Sequence, residues 1–299
     1  MTDFQLSDLV IDEDLVRAML RDQHPDLAEL ELREVDGGWD NKMWRLGDHL
    51  AVRIPRTPRG PSLLDQEHRW MPEIAKRLPL PVSAPVRLGT ATERFPATWL
   101  VTTWVAGEPL DHAPIERGAA SAEALASFLA ALHQEAPEDA PVNPQRSVPL
   151  KDHAEVAERG IEHWSTAETL APMREIWNDA LAAVQWDRAP VWIHGDLHPA
   201  NAVAAEGTLA GVIDFGELCA GDPATDLAAA WLLLPEGAAE LCLDAYPDVD
   251  EATVLRARGW ALLRALNLLS IGHAGEQGWP GGKVSWKPAG EATIARLLA

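Results

Sequence analysis

The sequence is poor in cysteine and in long apolar runs, and each scarcity excludes a class of protein. Its 299 residues include two cysteines, Cys219 and Cys242, which are too few for a disulfide framework or a cysteine-based zinc site. The longest apolar run, Leu227 to Leu234, has eight residues, whereas a membrane helix needs roughly 20. The acidic start over residues 1–14 is unlike a signal peptide, which begins with basic residues. We therefore expect a cytoplasmic protein without a membrane partner.

Basic residues are also scarce relative to acidic ones. The chain has 25 Lys and Arg against 46 Asp and Glu, a net charge of −21, which disfavours a nucleic-acid partner because nucleic-acid binding needs a basic face. The charge is uneven, at −9 over residues 1–40, +5 over 41–103 and −17 over 104–299. Segments of opposite sign are suited to ligands of opposite charge. An alternative explanation is that the acidity only keeps the protein soluble.

Apolar spacing and turn residues divide the chain into a strand-rich first third and a helical remainder. In the first third, the predicted elements are helices over 12–21 and 61–78 and strands over 30–35, 42–46, 49–54, 86–89 and 98–105. After a break at residues 106–109, the predicted helices cover 121–134, 152–164, 168–186, 225–234, 237–245, 250–271 and 290–298, with short strands over 191–193, 201–203 and 210–213. We predict an α+β protein with domains at residues 1–103 and 104–299.

The clearest chemical motif lies between residues 194 and 216. It consists of His194-Gly195-Asp196-Leu197-His198-Pro199-Ala200-Asn201, followed by Ile213-Asp214-Phe215-Gly216. Phosphoryl transfer to an alcohol needs one carboxylate that accepts the hydroxyl proton. It also needs a second carboxylate and an amide that hold Mg²⁺. The spacing of Asp196, Asn201 and Asp214 favours such a site, although each residue by itself is also an ordinary turn former.

These motifs resemble the catalytic loop and metal motif of the aminoglycoside phosphotransferase and choline-kinase-like family, which belongs to the protein-kinase-like superfamily. The segment from Gly221 to Ala228 is similar to the one that follows the metal motif in that family. The resemblance implies a bilobal fold, with an N-terminal antiparallel sheet lobe containing one main helix and a larger, mostly helical C-terminal lobe. It also implies that residues 1–103 bind ATP or GTP, and that residues 104–299 carry the catalytic loop and the acceptor pocket.

The resemblance assigns a role to each residue of the motif. Asp196 is expected to be the catalytic base, while Asn201 and Asp214 are expected to bind Mg²⁺. His194 is expected to fix the catalytic loop, and Asp226 to brace it by accepting hydrogen bonds. These five assignments together imply a magnesium-dependent kinase.

The expected nucleotide loop is Gly37-Gly38-Trp39-Asp40-Asn41-Lys42, which lies between two predicted strands and resembles the nucleotide-covering loop of the family. A glycine pair by itself usually indicates no more than a turn. Gly38 and Trp39 are assigned to nucleotide binding because of the position of this loop in the chain. Thr103 and Val105 fall at the joint between the two domains, where kinase-like folds bind the purine edge through the backbone.

Arg53 falls where the kinase strand carries its phosphate-gripping lysine, and Glu67 falls where the partner glutamate of that lysine is expected. An arginine is a departure from the family, although its planar head is a competent bidentate phosphate ligand. Arg56 and Arg59 are alternative residues for the same role.

The acceptor is expected to be a cationic small molecule, because the domain that should hold it carries the net charge of −17. His198 either caps the catalytic loop or contacts substrate. The candidates for the acceptor lining are Glu217, Asp222, Glu276, Trp279 and the acidic helix faces at Glu155, Glu158 and Glu162.

The sequence therefore predicts a small-molecule kinase that phosphorylates a hydroxyl of an aminoglycoside-like or other amine-bearing acceptor, as antibiotic-resistance enzymes do. One alternative is a kinase acting on choline, an amino sugar, fructosamine or a macrolide. Another is a catalytically dead, ligand-binding pseudokinase. Arg53 favours the dead binder, whereas the presence of Asp196, Asn201 and Asp214 argues against it.

Overall fold

The computed structural model describes residues 9–35 and 37–299, so the predicted turn residue Asp36 lies outside the described residues. The chain divides into two compact units. Unit 1 comprises the described residues up to Arg77 together with Val82–Val105 and Asp214–Gly216, and unit 2 comprises Leu78–Pro81, Ala106–Ile213 and Glu217–Ala299. Within the described ranges, no helix has both the length and the apolar character needed to cross a membrane.

Unit 1 is built on a five-stranded antiparallel sheet in the order β1-β2-β3-β5-β4. Its strands are β1 Leu32–Val35, β2 Asn41–Leu46, β3 Leu50–Pro55, β4 Pro85–Gly89 and β5 Trp99–Thr103. β2 and β3 form the predicted hairpin, whose turn contains Gly47 at φ 57°. A left-handed backbone of this kind favours glycine. The pairing places Trp44 opposite Val52, and Val52 opposite Val101, in one buried core.

Two helices complete unit 1, α1 Glu13–Gln23 and α2 Gly60–Ile74. α1 begins at Asp12, whose carboxylate accepts a hydrogen bond from the Leu15 backbone nitrogen at 2.9 Å, which is a standard N-cap. α2 contains Pro72 and ends two residues later, short of its predicted end at residue 78. Proline cannot donate the helical hydrogen bond, and the chain continues as a short 3₁₀ turn. α2 buries Glu67 completely, among apolar neighbours on the same helix face.

Unit 2 is mostly helical. Its helices are α3 Gly118–Leu132, α4 Ala154–Trp164, α5 Leu170–Ala182, α6 Ala224–Leu227, α7 Ala229–Leu233, α8 Ala238–Ala245, α9 Glu251–Glu276 and α10 Trp286–Leu298. Its strands are β6 Glu108–Pro109, β7 Val191–Ile193, β8 Ala202–Ala205, β9 Thr208–Val212 and β10 Cys219–Gly221. They form two small sheets, one in the order β6-β8-β9 and the other pairing β10 with β7.

The 26-residue helix α9 is the centre of unit 2, because α4, α5, α6, α7 and α10 all pack against it. A helix surrounded in this way is apolar on every side. Two arginines nevertheless have fully or nearly buried side chains on it, Arg256 and Arg264. Buried guanidinium groups need partners, and the partners of Arg264 belong to the candidate active site.

The predicted fold class, α+β with an N-terminal antiparallel sheet and a mostly helical remainder, is confirmed. Several details differ from the sequence-based prediction. The break predicted at residues 106–109 contains β6, which pairs with β8, and the strand β10 was not predicted. The single helix predicted over residues 225–234 is two short helices that meet at Ala228. Strands of two or three residues are too short to show a pattern.

Candidate active site

The segment from His194 to Asn201 is a tight loop between β7 and β8. The Asn201 side-chain nitrogen donates to the Asp196 carbonyl oxygen at 3.0 Å, which closes the loop on itself. Gly195 has φ 78°, and a Cβ at this position would lie 2.9 Å from the Glu217 carbonyl oxygen, so only glycine fits. Because Asn201 donates through its nitrogen, its side-chain oxygen is available as an acceptor.

Asp226 and His194 connect this loop to the core of unit 2. The fully buried Asp226 carboxylate accepts hydrogen bonds from the backbone nitrogen of His194 at 2.6 Å and from the backbone nitrogen of Gly195 at 2.9 Å. Burial alone would raise the pKa of Asp226, but hydrogen bonding to His133 and Gly195 and the charges of nearby histidines lower it. His194 Nε2 lies 3.0 Å from the Ile213 carbonyl oxygen, and its Nδ1 accepts from the Asp196 nitrogen. With Nδ1 as the acceptor, Nε2 carries a ring proton toward the Ile213 carbonyl oxygen.

The Asp196 carboxylate has different surroundings at its two oxygens. Oδ1 accepts hydrogen bonds from Arg146 Nη2 and Arg264 Nη1, both at 3.0 Å. Oδ2 has only longer contacts, 3.4 Å to Asn201 Nδ2 and 3.6 Å to His198 Nε2. Burial alone would raise the pKa of Asp196, but the His198 ring and the two guanidinium groups hold it well below its usual range. The carboxylate is therefore ionised at neutral pH.

His198 caps the catalytic loop, which is one of the two roles that the sequence left open. Its Nδ1 accepts from the Ala200 nitrogen at 3.3 Å and caps the 3₁₀ turn Pro199–Asn201, while Nε2 lies toward Asp196. The ring packs against Trp286 at a centroid distance of 4.5 Å.

A second cluster of charged groups lies in unit 1. Arg53 Nη1 donates to the Glu67 carboxylate at 2.5 and 2.6 Å, and Arg53 Nη2 donates to Asp214 Oδ1 at 2.8 Å. Burial raises the pKa of Glu67 to about 7, although the Arg53 charge opposes this rise. Arg56 and Arg59, the alternatives to Arg53, contact residues outside this buried cluster.

Arg56 and Arg59 hold the predicted nucleotide loop. Arg56 donates to the carbonyl oxygens of Gly38 and Trp39, both at 2.9 Å, and Arg59 contacts the Asp40 carboxylate at 3.1 Å. Trp39 is 46% exposed. The two arginines therefore shape the loop, and Arg53 is the arginine of the buried cluster.

Asp214 has a left-handed backbone, with φ 63°, a conformation that Asp tolerates better than most residues. Its nitrogen donates to Ser83 Oγ at 3.1 Å, and its side chain is 42% exposed. The loop residue Gly38 comes close, because a Cβ on Gly38 would lie 3.6 Å from Asp214 Oδ2. The Asp214 carboxylate is thus fixed by Arg53 at one oxygen and remains open at the other.

Thr103 and Val105 are the two residues predicted to lie at the joint between the domains, and Thr103 makes hydrogen bonds within unit 1. The Thr103 hydroxyl donates to the Val82 carbonyl oxygen at 2.7 Å and accepts from the Ala84 nitrogen at 2.9 Å. Val105 is buried. The Thr103 backbone nitrogen donates to the Ala84 carbonyl oxygen at 2.9 Å, and nucleotide binding at these two positions stays a prediction.

The carboxylates predicted to line an acceptor site already have partners. Glu217 accepts from Asn143, Asp222 forms a two-pronged ion pair with Arg256, and Glu276 pairs with Lys287. The acidic helix faces are similar, since Glu155 pairs with Arg159, and Glu158 and Glu162 pair with Arg174. Trp279 is 59% exposed and meets His273 edge to face. Five of these six carboxylates are therefore already in ion pairs within the chain.

Arg146 and Arg264 are the site residues that the sequence analysis missed. Arg264 carries a signal in retrospect, because a charged residue among the apolar residues of α9 requires a buried partner. Arg146 lies in a loop and carries no comparable signal.

The residues expected to bind Mg²⁺ fit that ion chemically. Asn201 offers an amide oxygen and Asp214 a carboxylate oxygen, and Mg²⁺ prefers hard oxygen ligands. Within residues 9–35 and 37–299, no group of three or more His, Cys, Asp or Glu residues could hold a metal.

Comparison with known proteins gives concordant results. A sequence model of the phosphotransferase enzyme family (APH) matches residues 31–266. Two proteins named aminoglycoside 3'-phosphotransferase, from Escherichia coli and Salmonella typhimurium, are each 29% identical over 145 residues, which is 46% of this chain and 53% of the relative. The match thus spans about half the length of these curated relatives.

Solved structures share the fold. The GDP complex of wild-type aminoglycoside 2'-phosphotransferase-IIIa has a TM-score of 0.68 at 17% identity, with 96% of this chain and 98% of that chain covered. Macrolide 2'-phosphotransferase type I has a TM-score of 0.62 at 18% identity, with 96% and 97% covered. The fold predicted from the motifs is confirmed by these similarities.

Proposed function

Because the chain belongs to the phosphotransferase enzyme family, we propose that it transfers the γ-phosphoryl group of ATP or GTP to a hydroxyl of a small-molecule acceptor. The observation that carries this proposal is the loop from His194 to Asn201, which presents an ionised, oriented carboxylate at Asp196. We assign the activity to the cytoplasm, where nucleotides are available and where free thiols such as Cys219 persist.

In the proposed reaction, the acceptor oxygen forms a bond to the γ-phosphorus while the bond from that phosphorus to the β,γ-bridging oxygen breaks. The nucleoside diphosphate leaves with that oxygen, and the hydroxyl proton passes to Asp196. Mg²⁺ held by Asn201 and Asp214 would neutralise charge on the β- and γ-phosphates. His194 and Asp226 keep the loop in place through the contacts described above.

We assign nucleotide binding to residues 1–103. Arg53 would contact the phosphates, and its fixed orientation between Glu67 and Asp214 supports this role. Gly38 and Trp39 would cover the nucleotide, and the backbone at Thr103 and Val105 would bind the base. Residues 104–299 would provide the catalytic loop and the acceptor pocket.

For the acceptor we propose an amine-bearing molecule of the aminoglycoside class, with antibiotic resistance as the natural role. The names of the curated relatives and the net charge of −17 over residues 104–299 support this assignment. Glu217, Asp222 and Glu276 have intramolecular partners, so an amine would have to share or displace those partners. The exposed ring of Trp279 offers a face to a cation without such competition.

The test is release of nucleoside diphosphate in the presence of Mg²⁺, ATP or GTP, and a panel of aminoglycosides, macrolides, choline and amino sugars. We expect at least one aminoglycoside to raise the release well above the acceptor-free rate. Phosphorylation of neutral macrolides alone would reject the amine-bearing class while keeping the phosphotransferase.

A catalytically dead binder is the second candidate, because Arg53 replaces the lysine of kinase-like proteins. It predicts nucleotide or acceptor binding by calorimetry without any release of diphosphate across the whole panel.

A further inference from the structure

We propose that Arg264 and Arg146 are positioning residues that hold Asp196 so that its Oδ2 oxygen receives the proton of the acceptor hydroxyl. The proposal rests on the phosphotransferase activity proposed above. It adds two residues to the reaction and assigns the proton to one of the two carboxylate oxygens.

The geometry distinguishes the two oxygens of Asp196. Two guanidinium groups donate to Oδ1, both at 3.0 Å. Charge-assisted hydrogen bonds of this kind are about twice as strong as neutral ones, so Oδ1 is occupied. The contacts of Oδ2, at 3.4 and 3.6 Å, are too long to compete with an incoming hydroxyl. When one oxygen of a carboxylate base is held by hydrogen bonds and the other is open, the proton is accepted at the open oxygen.

Arg264 is held more rigidly than an ordinary surface arginine. It projects from α9, its side chain is 8% exposed, and its second nitrogen donates to the Gly195 carbonyl oxygen. Arg264 therefore donates hydrogen bonds both to the side chain of Asp196 and to the backbone of the preceding residue, Gly195. Any rotation of the carboxylate would break a buried, charge-assisted hydrogen bond.

Arg146 approaches from a loop that is itself well tied. Its nitrogen donates to the Asn143 carbonyl oxygen at 3.2 Å, and the Asn143 side chain donates to Glu217. The Arg146 side chain, 16% exposed, completes the pair at Oδ1. The two arginines come from segments far apart in the chain and meet at a single atom.

Stability alone does not account for this arrangement. One guanidinium would neutralise Asp196, and a second adds a like charge in a buried place, which is unfavourable. Burial and the charge of Arg146 lower the pKa of Arg264 to about 10, which expresses this cost. Two donors on one oxygen do, however, define the orientation of a carboxylate, and misplacement by about 1 Å can cost 10²-fold in rate.

The test measures single-turnover phosphoryl transfer at saturating nucleotide with the best acceptor of the panel. We expect Arg264→Met to lower the transfer rate constant by about tenfold to a hundredfold, with the KM values of nucleotide and acceptor changed by less than about twofold. Arg264→Lys should recover part of the rate, because lysine restores the charge but not the fork. Arg146→Met should have a smaller effect, since Arg264 remains in place.

Arg258→Met is the matched control. Arg258 lies on the same helix and donates to the Leu297 carbonyl oxygen at 2.9 Å, away from Asp196. A purely structural role for Arg264 predicts that both variants lower the melting temperature and that neither changes the rate constant of the folded enzyme.

Four outcomes overturn the proposal. An unchanged rate constant in Arg264→Met, or an equal loss in Arg258→Met, contradicts positioning while the phosphotransferase stands. A raised acceptor KM with an unchanged rate constant would show that Arg264 contacts the acceptor. If the wild-type enzyme transfers no phosphate to any acceptor, the phosphotransferase fails and the positioning role fails with it.

Discussion

Each unit contains a cluster of arginine and carboxylate side chains, but the ratio of arginines to carboxylates differs between the two units. In unit 1 a single guanidinium, Arg53, lies between Glu67 and Asp214, so that cluster has one more carboxylate than it has guanidinium groups. In unit 2 two guanidinium groups, Arg146 and Arg264, meet at Asp196, so that contact is positive by one. The same residue types thus produce two different sites.

The difference teaches what each cluster is suited to do. In unit 1 the second carboxylate, Asp214, is half-exposed, and a divalent cation would be favoured beside it. In unit 2 the His198 ring and the two guanidinium groups keep Asp196 ionised, and the guanidinium groups fix one of its oxygens. The first cluster is therefore suited to binding a cation, and the second to orienting a carboxylate.

Removing the carboxylate of the unit 2 cluster should have the largest effect. We expect Asp196→Asn to lower kcat by about 10²–10⁴-fold, the usual contribution of a general base. Nucleotide binding should change by less than about twofold, because the base acts on the acceptor hydroxyl. Rapid-quench kinetics and nucleotide titration separate the two quantities. Retention of more than about a tenth of wild-type kcat would contradict the assignment.

Replacing Asp214, the half-exposed carboxylate of the unit 1 cluster, should have the next largest effect. Asp214→Asn keeps a residue that tolerates a positive φ but replaces a carboxylate ligand by an amide. We expect the Mg²⁺ concentration for half-maximal activity to rise about tenfold or more, with weaker nucleotide binding. Asn201→Ala should shift the magnesium titration in the same direction. Identical titrations in both variants and the wild type would exclude these two residues as ligands.

The central arginine of unit 1 can be tested against its neighbour in the sequence. Arg53→Ala should raise the nucleotide KM and should also destabilise the protein by about 3–5 kcal/mol, because Glu67 loses its buried partner. Arg53→Lys should recover part of both losses. Arg56→Ala is the matched comparison, since Arg56 contacts only loop carbonyls. A larger KM effect in Arg56→Ala would transfer the phosphate role to that residue.

The smallest effect concerns pH and the stability of unit 1. Burial raises the pKa of Glu67 from 4.5 to about 7 in the folded state. Between those two values the folded state binds more protons than the unfolded state, so this residue's contribution to stability falls as pH rises. Relative to Glu67→Gln, the wild type should lose stability from about pH 4.5 to 7 and then remain level. Urea titrations at several pH values test this, and an opposite slope would mean that Arg53 dominates over burial.

Local sequence predicts well what neighbouring residues determine. The spacing of Asp196, Asn201 and Asp214 is visible in the sequence itself. The pairing of Arg53 with Glu67 was implied by the resemblance to kinase-like proteins, and the structure brings these two residues into contact. The fold class follows from the same periodicities.

Contacts made over long separations were not predictable in this way. Arg146 and Arg264 lie 50 and 68 residues from Asp196 along the chain, so no local pattern joins them to it. The pairing of Asp222 with Arg256 is similar, because nothing in the local sequence indicates that this carboxylate already has a cationic partner. Tertiary packing decides which carboxylates are compensated, and composition does not record that packing.

The left-handed backbone of Asp214 separates two demands that a single position must meet. Folding permits a small set of amino acids there, chiefly Gly, Asn and Asp, because these tolerate φ near 63°. The proposed magnesium site already has the neutral amide of Asn201 and would need a charged ligand here, which permits the carboxylates Asp and Glu. Aspartate is the overlap of the two sets. A library of all twenty amino acids at this position, sorted first for folded protein and then for antibiotic survival, should shrink to that overlap in two distinct steps.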